Sequence, residues 1–235
     1  MNVDVLFFDV GNTLIYPDPP VGEVYARALR EEGFEADPDE VERSFEESWN
    51  RLRQQQADGA LEYGMTRDDA LDWWRLVVRE SCRPFGEPED FEAFLHRLWE
   101  YFATGDAWGI YEDVLPTVRE LRRRGKRLGL ISNWDVRLEQ ILRGLGLWDR
   151  FDCVTISAAV GVEKPDPEIF RHALRGCDCP AERALHVGDS EVDDVVGARA
   201  AGMQALWLRR DAESDGPGVI TGLAGVLDAL DRSGA

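Results

Sequence analysis

Apolar residues at positions 3–9 run almost without interruption, with Leu6, Phe7 and Phe8 leading to an acidic end at Asp9. A strand buried on both faces reads this way. From Pro19 to about Thr104 the apolar positions follow helical periods only, and no strand-like alternation occurs. The candidate helices are 21–33, 38–57, 66–82 and 88–103, separated by Gly33, an Asp58-Gly59 turn and the Arg83-to-Pro88 stretch with Pro84 and Gly86. After Gly109 strand and helix patterns alternate. Strands are expected at 127–132, 153–157, 184–188 and 204–208, with helices near 113–124, 136–145, 167–176, 192–201 and 222–231. Residues 210–218 read as a flexible surface loop. The alternation predicts an α/β fold, a doubly wound parallel sheet (a Rossmann-like core) with an all-helical insert after its first strand. The expected limits are 1–17 with 105–235 for the core and 18–104 for the insert.

Composition narrows the partners. The net charge of −19 argues against nucleic acid, whose phosphates need a basic face, and no Lys/Arg stripe is evident. No apolar run approaches membrane-spanning length, and no basic region precedes the first strand, so neither a membrane segment nor a signal peptide is expected. Cys82, Cys153, Cys177 and Cys179 form no CxxC pair, and the expectation is four reduced thiols in a cytoplasm. Of the 27 basic residues, 25 are arginine and only Lys126 and Lys164 are lysine. A lysine in such a chain is a candidate for a place that needs a compact ammonium rather than a planar fork.

Ligands of an open parallel sheet bind at the carboxyl ends of its strands. Those ends carry polar side chains here. Strand one leads into Asp9-Val10-Gly11-Asn12-Thr13, strand 127–132 into Ser132-Asn133, and strand 184–188 into Gly188-Asp189-Ser190, with Asp194 five residues after Asp189. Between the last two stands Lys164-Pro165-Asp166-Pro167, opening a helix. An acidic residue ending a strand is more often a turn former or helix cap than a catalyst. All four segments in this order form a far more specific set. Asp166 before Pro167 is most simply a helix start, His96, His172 and His186 read as structural, and the tryptophans of the helical block read as packing.

The order DxxxT, a hydrophobic strand ending in SN, KPDP, then GDxxxxD resembles the haloacid dehalogenase-like hydrolases, in the branch with a helical cap after the first motif. The resemblance spans essentially the whole chain. It implies that Asp9 attacks the substrate and becomes a covalent aspartyl intermediate, with Lys164 neutralising charge on the nucleophile and the group in transfer. It also implies magnesium held by the Asp9 side chain, the Gly11 carbonyl and Asp189, with Asp194 outside the first ring of ligands, holding a metal water or Lys164. Ser132 and the Asn133 amide would grip phosphate oxygens of a small phosphorylated metabolite. Thr13 would hydrogen-bond the turn after Asp9.

One position departs from the pattern. Phosphatases of this superfamily carry a second aspartate two residues after the nucleophile, where this chain has Gly11. General acid–base help is worth roughly 10²–10⁴-fold, so alkyl phosphate hydrolysis is expected to suffer. Asp135 is the best-placed substitute, although a helix-capping role suits it better, and Asp18 is a poorer one. Two further readings stay open. One is a haloacid dehalogenase or other carbon-centred hydrolase, which needs no proton on the leaving group. The other is a weakly catalytic member that binds a ligand or partner.

Overall fold

The computed structural model describes residues 2–57 and 67–232, so the Asp58-Gly59 turn lies outside the described residues. The chain divides into two compact units, Met1–Tyr16 with Ile110–Ala235 and Pro17–Gly109.

The first unit opens with β1 (Val5–Phe8), all four residues buried. The chain passes through β2 (Ile15–Pro17) into the helical unit, formed by α1 (Val21–Glu31), α2 (Pro38–Ala57), α3 (Arg67–Cys82) and α4 (Phe91–Tyr101). It leaves by β3 (Trp108–Ile110), which pairs with β2 in a two-stranded sheet. There follow α5 (Val114–Arg123), β4 (Arg127–Ser132), α6 (Leu138–Gly144), β5 (Cys153–Ile156), α7 (Ser157–Val160), α8 (Pro167–Gly176) and β6 (Ala184–Gly188). A π-helical turn at Glu191–Val196 runs into α9 (Gly197–Ala200), and β7 (Gln204–Leu208), β8 (Val219–Ile220) and α10 (Ala224–Arg232) complete the described chain.

Six strands form one sheet in the order β5-β4-β1-β6-β7-β8. Every pairing is parallel, with Phe8 level with Leu130 on one side and Val187 on the other. This is the α/β architecture that the strand–helix alternation predicts. The central strand β1 is flanked by β4 and β6, so the strand order reverses there and a crevice forms at the carboxyl ends. Asp9, Ser132 and Asp189 each follow directly from one of those three ends or lie on it. Leu6, Phe7, Phe8, Leu128, Leu130 and Leu185 are fully buried, which holds the strand ends in fixed register.

The helical unit has its own core. Tyr25, Leu29, Val41, Val78, Phe94 and Leu95 pack together within it. A smaller cluster joins Leu52, Trp73 and Val77, with Trp49 stacked 5.7 Å from Trp74 beside it. Its tryptophans are packing residues.

Two details correct the sequence reading. Cys153 and Cys177 are joined as a disulfide, with Cα atoms 6.2 Å apart, and only Cys82 and Cys179 are free thiols. The four-thiol expectation fails because β5 and the end of α8 are neighbours in space though 24 residues apart in sequence. The helix expected at 192–201 begins as a π turn, because Ser190 accepts from Asp193 N–H and the Val195 N–H reaches back to the Ser190 carbonyl at 3.3 Å. Such turns are frequent where a helix must present a functional side chain.

Candidate active site

Asp9 follows the last residue of β1 and is 7% exposed. Its N–H donates to the Val187 carbonyl at 2.9 Å, which ties its backbone to β6. The chain then turns sharply. Asn12 N–H donates to the Ile15 carbonyl at 2.8 Å, and Asn12 has φ of 54°, a left-handed conformation that asparagine tolerates better than most residues. The turn brings Thr13 under the site, where its hydroxyl donates to Asp189 Oδ1 at 3.3 Å. Thr13 therefore holds a candidate metal ligand across the crevice, rather than the turn after Asp9.

Lys164 reaches the same crevice from the loop before α8 and is 3% exposed. Its Nζ lies 2.6 Å from Asp9 Oδ1 and 2.6 Å from Asp194 Oδ1. Burial alone would lower this lysine, but Asp194 and Asp9 overcome it and hold the ammonium charged. Asn133 fixes the lysine backbone. Its carboxamide oxygen accepts from Lys164 N–H at 2.7 Å while its NH₂ donates to the Lys164 carbonyl at 2.9 Å, as a paired peptide would. The oxygen and one N–H of the Asn133 side-chain amide are thus committed to positioning Lys164. Ser132, 1% exposed, donates to Asp9 Oδ1 at 3.4 Å.

Asp194 is the most heavily bonded carboxylate of the group. Besides Lys164, its Oδ1 accepts from His186 Nε2 at 2.9 Å, and its Oδ2 accepts from Ser190 N–H at 3.0 Å. Burial opposes its charge, yet Lys164 and the His186 hydrogen bond outweigh burial and hold it below the ordinary carboxylate range. Gly188 makes room for it, since a Cβ there would stand 2.1 Å from Asp194 Cγ. His186, buried on β6, reads from the sequence as a satisfied core histidine. Only its Nε2 is satisfied, by this carboxylate; its buried Nδ1 has no hydrogen-bond partner among the described residues, and its ring packs edge-on against Phe170 at 5.2 Å. The missed signal is the period of two, which places His186 and Gly188 on one face of β6 beneath Asp194.

Asp9, Asp189 and Asp194 each offer a carboxylate oxygen, all within 4.8 Å of one another. Three carboxylates against one ammonium leave two negative charges uncompensated in a buried place. The consequence appears in the acidities. Burial raises Asp9, against the pull of Lys164. Burial, then the neighbouring Asp9 and Asp194, pushes Asp189 up to about 7. An all-oxygen, over-acidic cluster is the donor set of a hard divalent cation, so the residues fit magnesium. Asp135 is not a ready acid for this crevice. Its two oxygens take Arg137 Nε at 2.9 Å and Nη2 at 2.7 Å, both side chains being buried.

Residues 3–202 match the haloacid dehalogenase-like hydrolase family. The mouse haloacid dehalogenase-like hydrolase domain-containing protein 3 is 39% identical over 88% of this chain and 82% of its own. Among solved structures, a HAD phosphatase from Thermococcus onnurineus has a TM-score of 0.64 at 26% identity, covering 97% of this chain and 98% of that one. A 2-haloacid dehalogenase from Pseudomonas syringae also has a TM-score of 0.64, at 24% identity, over 98% of this chain and 99% of that one. Fold likeness therefore does not separate phosphatase from dehalogenase. The chain belongs to the haloacid dehalogenase-like hydrolase family.

Proposed function

We propose that this hydrolase is a magnesium-dependent phosphatase of a small phosphorylated metabolite, working through an aspartyl-phosphate on Asp9. The observation that carries the reading is the acidic cluster. Asp189 stands beside Asp9 in a buried crevice, and two such carboxylates repel unless a cation lies between them. A dehalogenase of this superfamily attacks without a metal and has no use for that second carboxylate.

Asp9, Asp189 and the Gly11 carbonyl would hold magnesium, with Asp194 behind them. Bound there, the ion would offset repulsion between Asp9 and an anionic phosphate and orient the transferring group. The protein residues do the rest. Asp9 is held by Ser132 and Lys164, so its carboxylate is placed before substrate arrives. Lys164 carries a fixed positive charge to the point where charge develops on the transferring oxygens. Asp194, braced by His186 and Ser190, keeps that ammonium from collapsing wholly onto Asp9.

A panel of phosphate esters and 2-haloacids, assayed with magnesium and with chelator, tests the reading. Phosphate release that needs magnesium is the expected result. Halide release unaffected by chelator would establish the carbon-centred alternative, which Gly11 favours because halide leaves without a proton. The panel also addresses a weakly catalytic binding role, whose expected result is no turnover on either arm.

Asp189 gives this reading a pH signature. Its folded value of about 7 lies above the ordinary carboxylate value of about 3.9, so the metal-free folded protein binds more protons than the unfolded chain between those limits. Stability of the metal-free protein should fall as pH rises through that window. Magnesium should restore it, and increasingly so toward neutral pH, where binding displaces fewer protons. Thermal melting across pH 5–8, with and without magnesium, measures both trends (the range brackets the value of about 7). Stabilisation by magnesium that does not vary with pH would remove Asp189 from the metal site.

A further inference from the structure

Gly11 and Trp134 belong to different loops, after β1 and after β4, and they meet beside the nucleophile. A Cβ built on Gly11 would stand 3.2 Å from Trp134 Cζ3, inside ordinary contact distance. Gly11 is not among the glycines with a left-handed backbone, so conformation does not forbid a side chain there. The indole ring crowds it, and must give by a few tenths of an ångström for a Cβ to fit.

Trp134 is firmly placed. It lies two residues after Ser132, which donates to Asp9. Its N–H donates to Ser157 Oγ at 3.1 Å, and its carbonyl accepts from the Ser157 hydroxyl at 3.1 Å and from Ala158 N–H at 3.3 Å. The buried Asp135–Arg137 pair stiffens the turn that follows. The ring itself is half-buried, leaving part of its surface open. An aromatic ring on a well-held backbone thus stands against the space that a carboxyl at position 11 would enter.

We infer that Trp134 is a specificity-determining residue, which receives a planar leaving group of the aryl or acyl type that departs as a stable anion. This inference rests on the phosphoryl-transfer reading and names its substrate class. The bond from Asp9 to phosphorus forms as the bond to the leaving oxygen breaks. The electron pair departs with the aryloxide or carboxylate, which takes no proton from the protein. Water then adds to phosphorus, the Asp9 bond breaks with its electrons returning to the carboxylate, and the water proton passes to solvent. Neither departure requires the absent acid, and a planar leaving group gains contact with the indole face.

The test compares wild type with Trp134→Phe, Trp134→Ala, Gly11→Asp and the Trp134→Ala/Gly11→Asp double variant, each first shown to melt cooperatively. Phenylphosphonate and methylphosphonate, which cannot be hydrolysed at their P–C bonds, report binding by calorimetry in magnesium. Wild type and Trp134→Phe should favour the phenyl compound by about 2- to 10-fold, and Trp134→Ala should lose that preference. In turnover, wild type should hydrolyse aryl phosphates far better than alkyl phosphates. Gly11→Asp alone should gain little on alkyl phosphates, whereas the double variant should gain selectively, toward the roughly 10²–10⁴-fold of general acid–base help. A phenyl preference that survives Trp134→Ala, or an equal gain from Gly11→Asp alone, overturns the inference and leaves phosphoryl transfer standing. Failure of both phosphonates to bind, with no magnesium-dependent phosphate release, overturns the underlying reading and this inference with it.

Discussion

Asp9→Asn is expected to abolish turnover, by roughly 10⁴-fold or more, while the protein stays folded. The carboxamide has almost the shape of the carboxylate, and its oxygen can still accept from Lys164 Nζ, now 2.6 Å from Asp9 Oδ1. What disappears is the nucleophile. The substitution also removes one negative charge from a buried cluster in which Asp9 and Asp189 are each raised in pKa, chiefly by burial. Stability should therefore hold or rise in the absence of metal, and affinity for magnesium should fall. Steady-state rates and melting curves of the purified variant check both. Measurable turnover above background would mean that another group attacks the substrate.

The second large effect is expected at Lys164. Lys164→Arg keeps the charge and should still cost about 10²-fold or more in kcat. The Nζ sits between two carboxylate oxygens at 2.6 Å each, in a place 3% exposed. A guanidinium is broader and planar, and it must either tilt away from Asp9 or push Asp194 off the His186 and Ser190 bonds that hold it. Lys164→Met separates geometry from charge. It leaves Asp9 and Asp194 buried without the ammonium between them, and loss of one partner from a buried ion pair typically costs about 3–5 kcal/mol. Near-wild-type kcat in the arginine variant would place Lys164 away from the transferring group.

Much of this site is legible in the sequence, and the part that is not shares one physical character. The apolar run ending at Asp9, the strands at 127–132 and 184–188 and the helix from Pro167 are set by local pattern, and they appear as β1, β4, β6 and α8. Asp166 caps α8 by accepting from Glu168 N–H at 2.8 Å, as its place before Pro167 suggests. The scarcity of lysine singles out Lys164, and it equally singles out Lys126, whose Nζ merely caps the Val3 carbonyl at 2.6 Å. Composition alone does not tell these two apart.

What escaped the sequence is a set of contacts between distant segments. The Asn133 carboxamide on the Lys164 backbone joins residues 31 apart, and Thr13 on Asp189 joins residues 176 apart. The Cys153–Cys177 disulfide and the indole against Gly11 are of the same kind. Each depends on which way a side chain points after the sheet has assembled, and periodicity fixes the face of an element without fixing its partner.

The central claim, phosphoryl transfer to Asp9, is tested most directly by trapping the intermediate. The magnesium-loaded enzyme is mixed with an aryl phosphate, quenched in acid within the first turnovers, digested and weighed peptide by peptide. The expected result is one phosphoryl group on the peptide that carries Asp9, absent from Asp9→Asn and absent when chelator replaces magnesium. Phosphate released at the same rate with no phosphoryl group on that peptide, or with one on a different residue, would contradict the account.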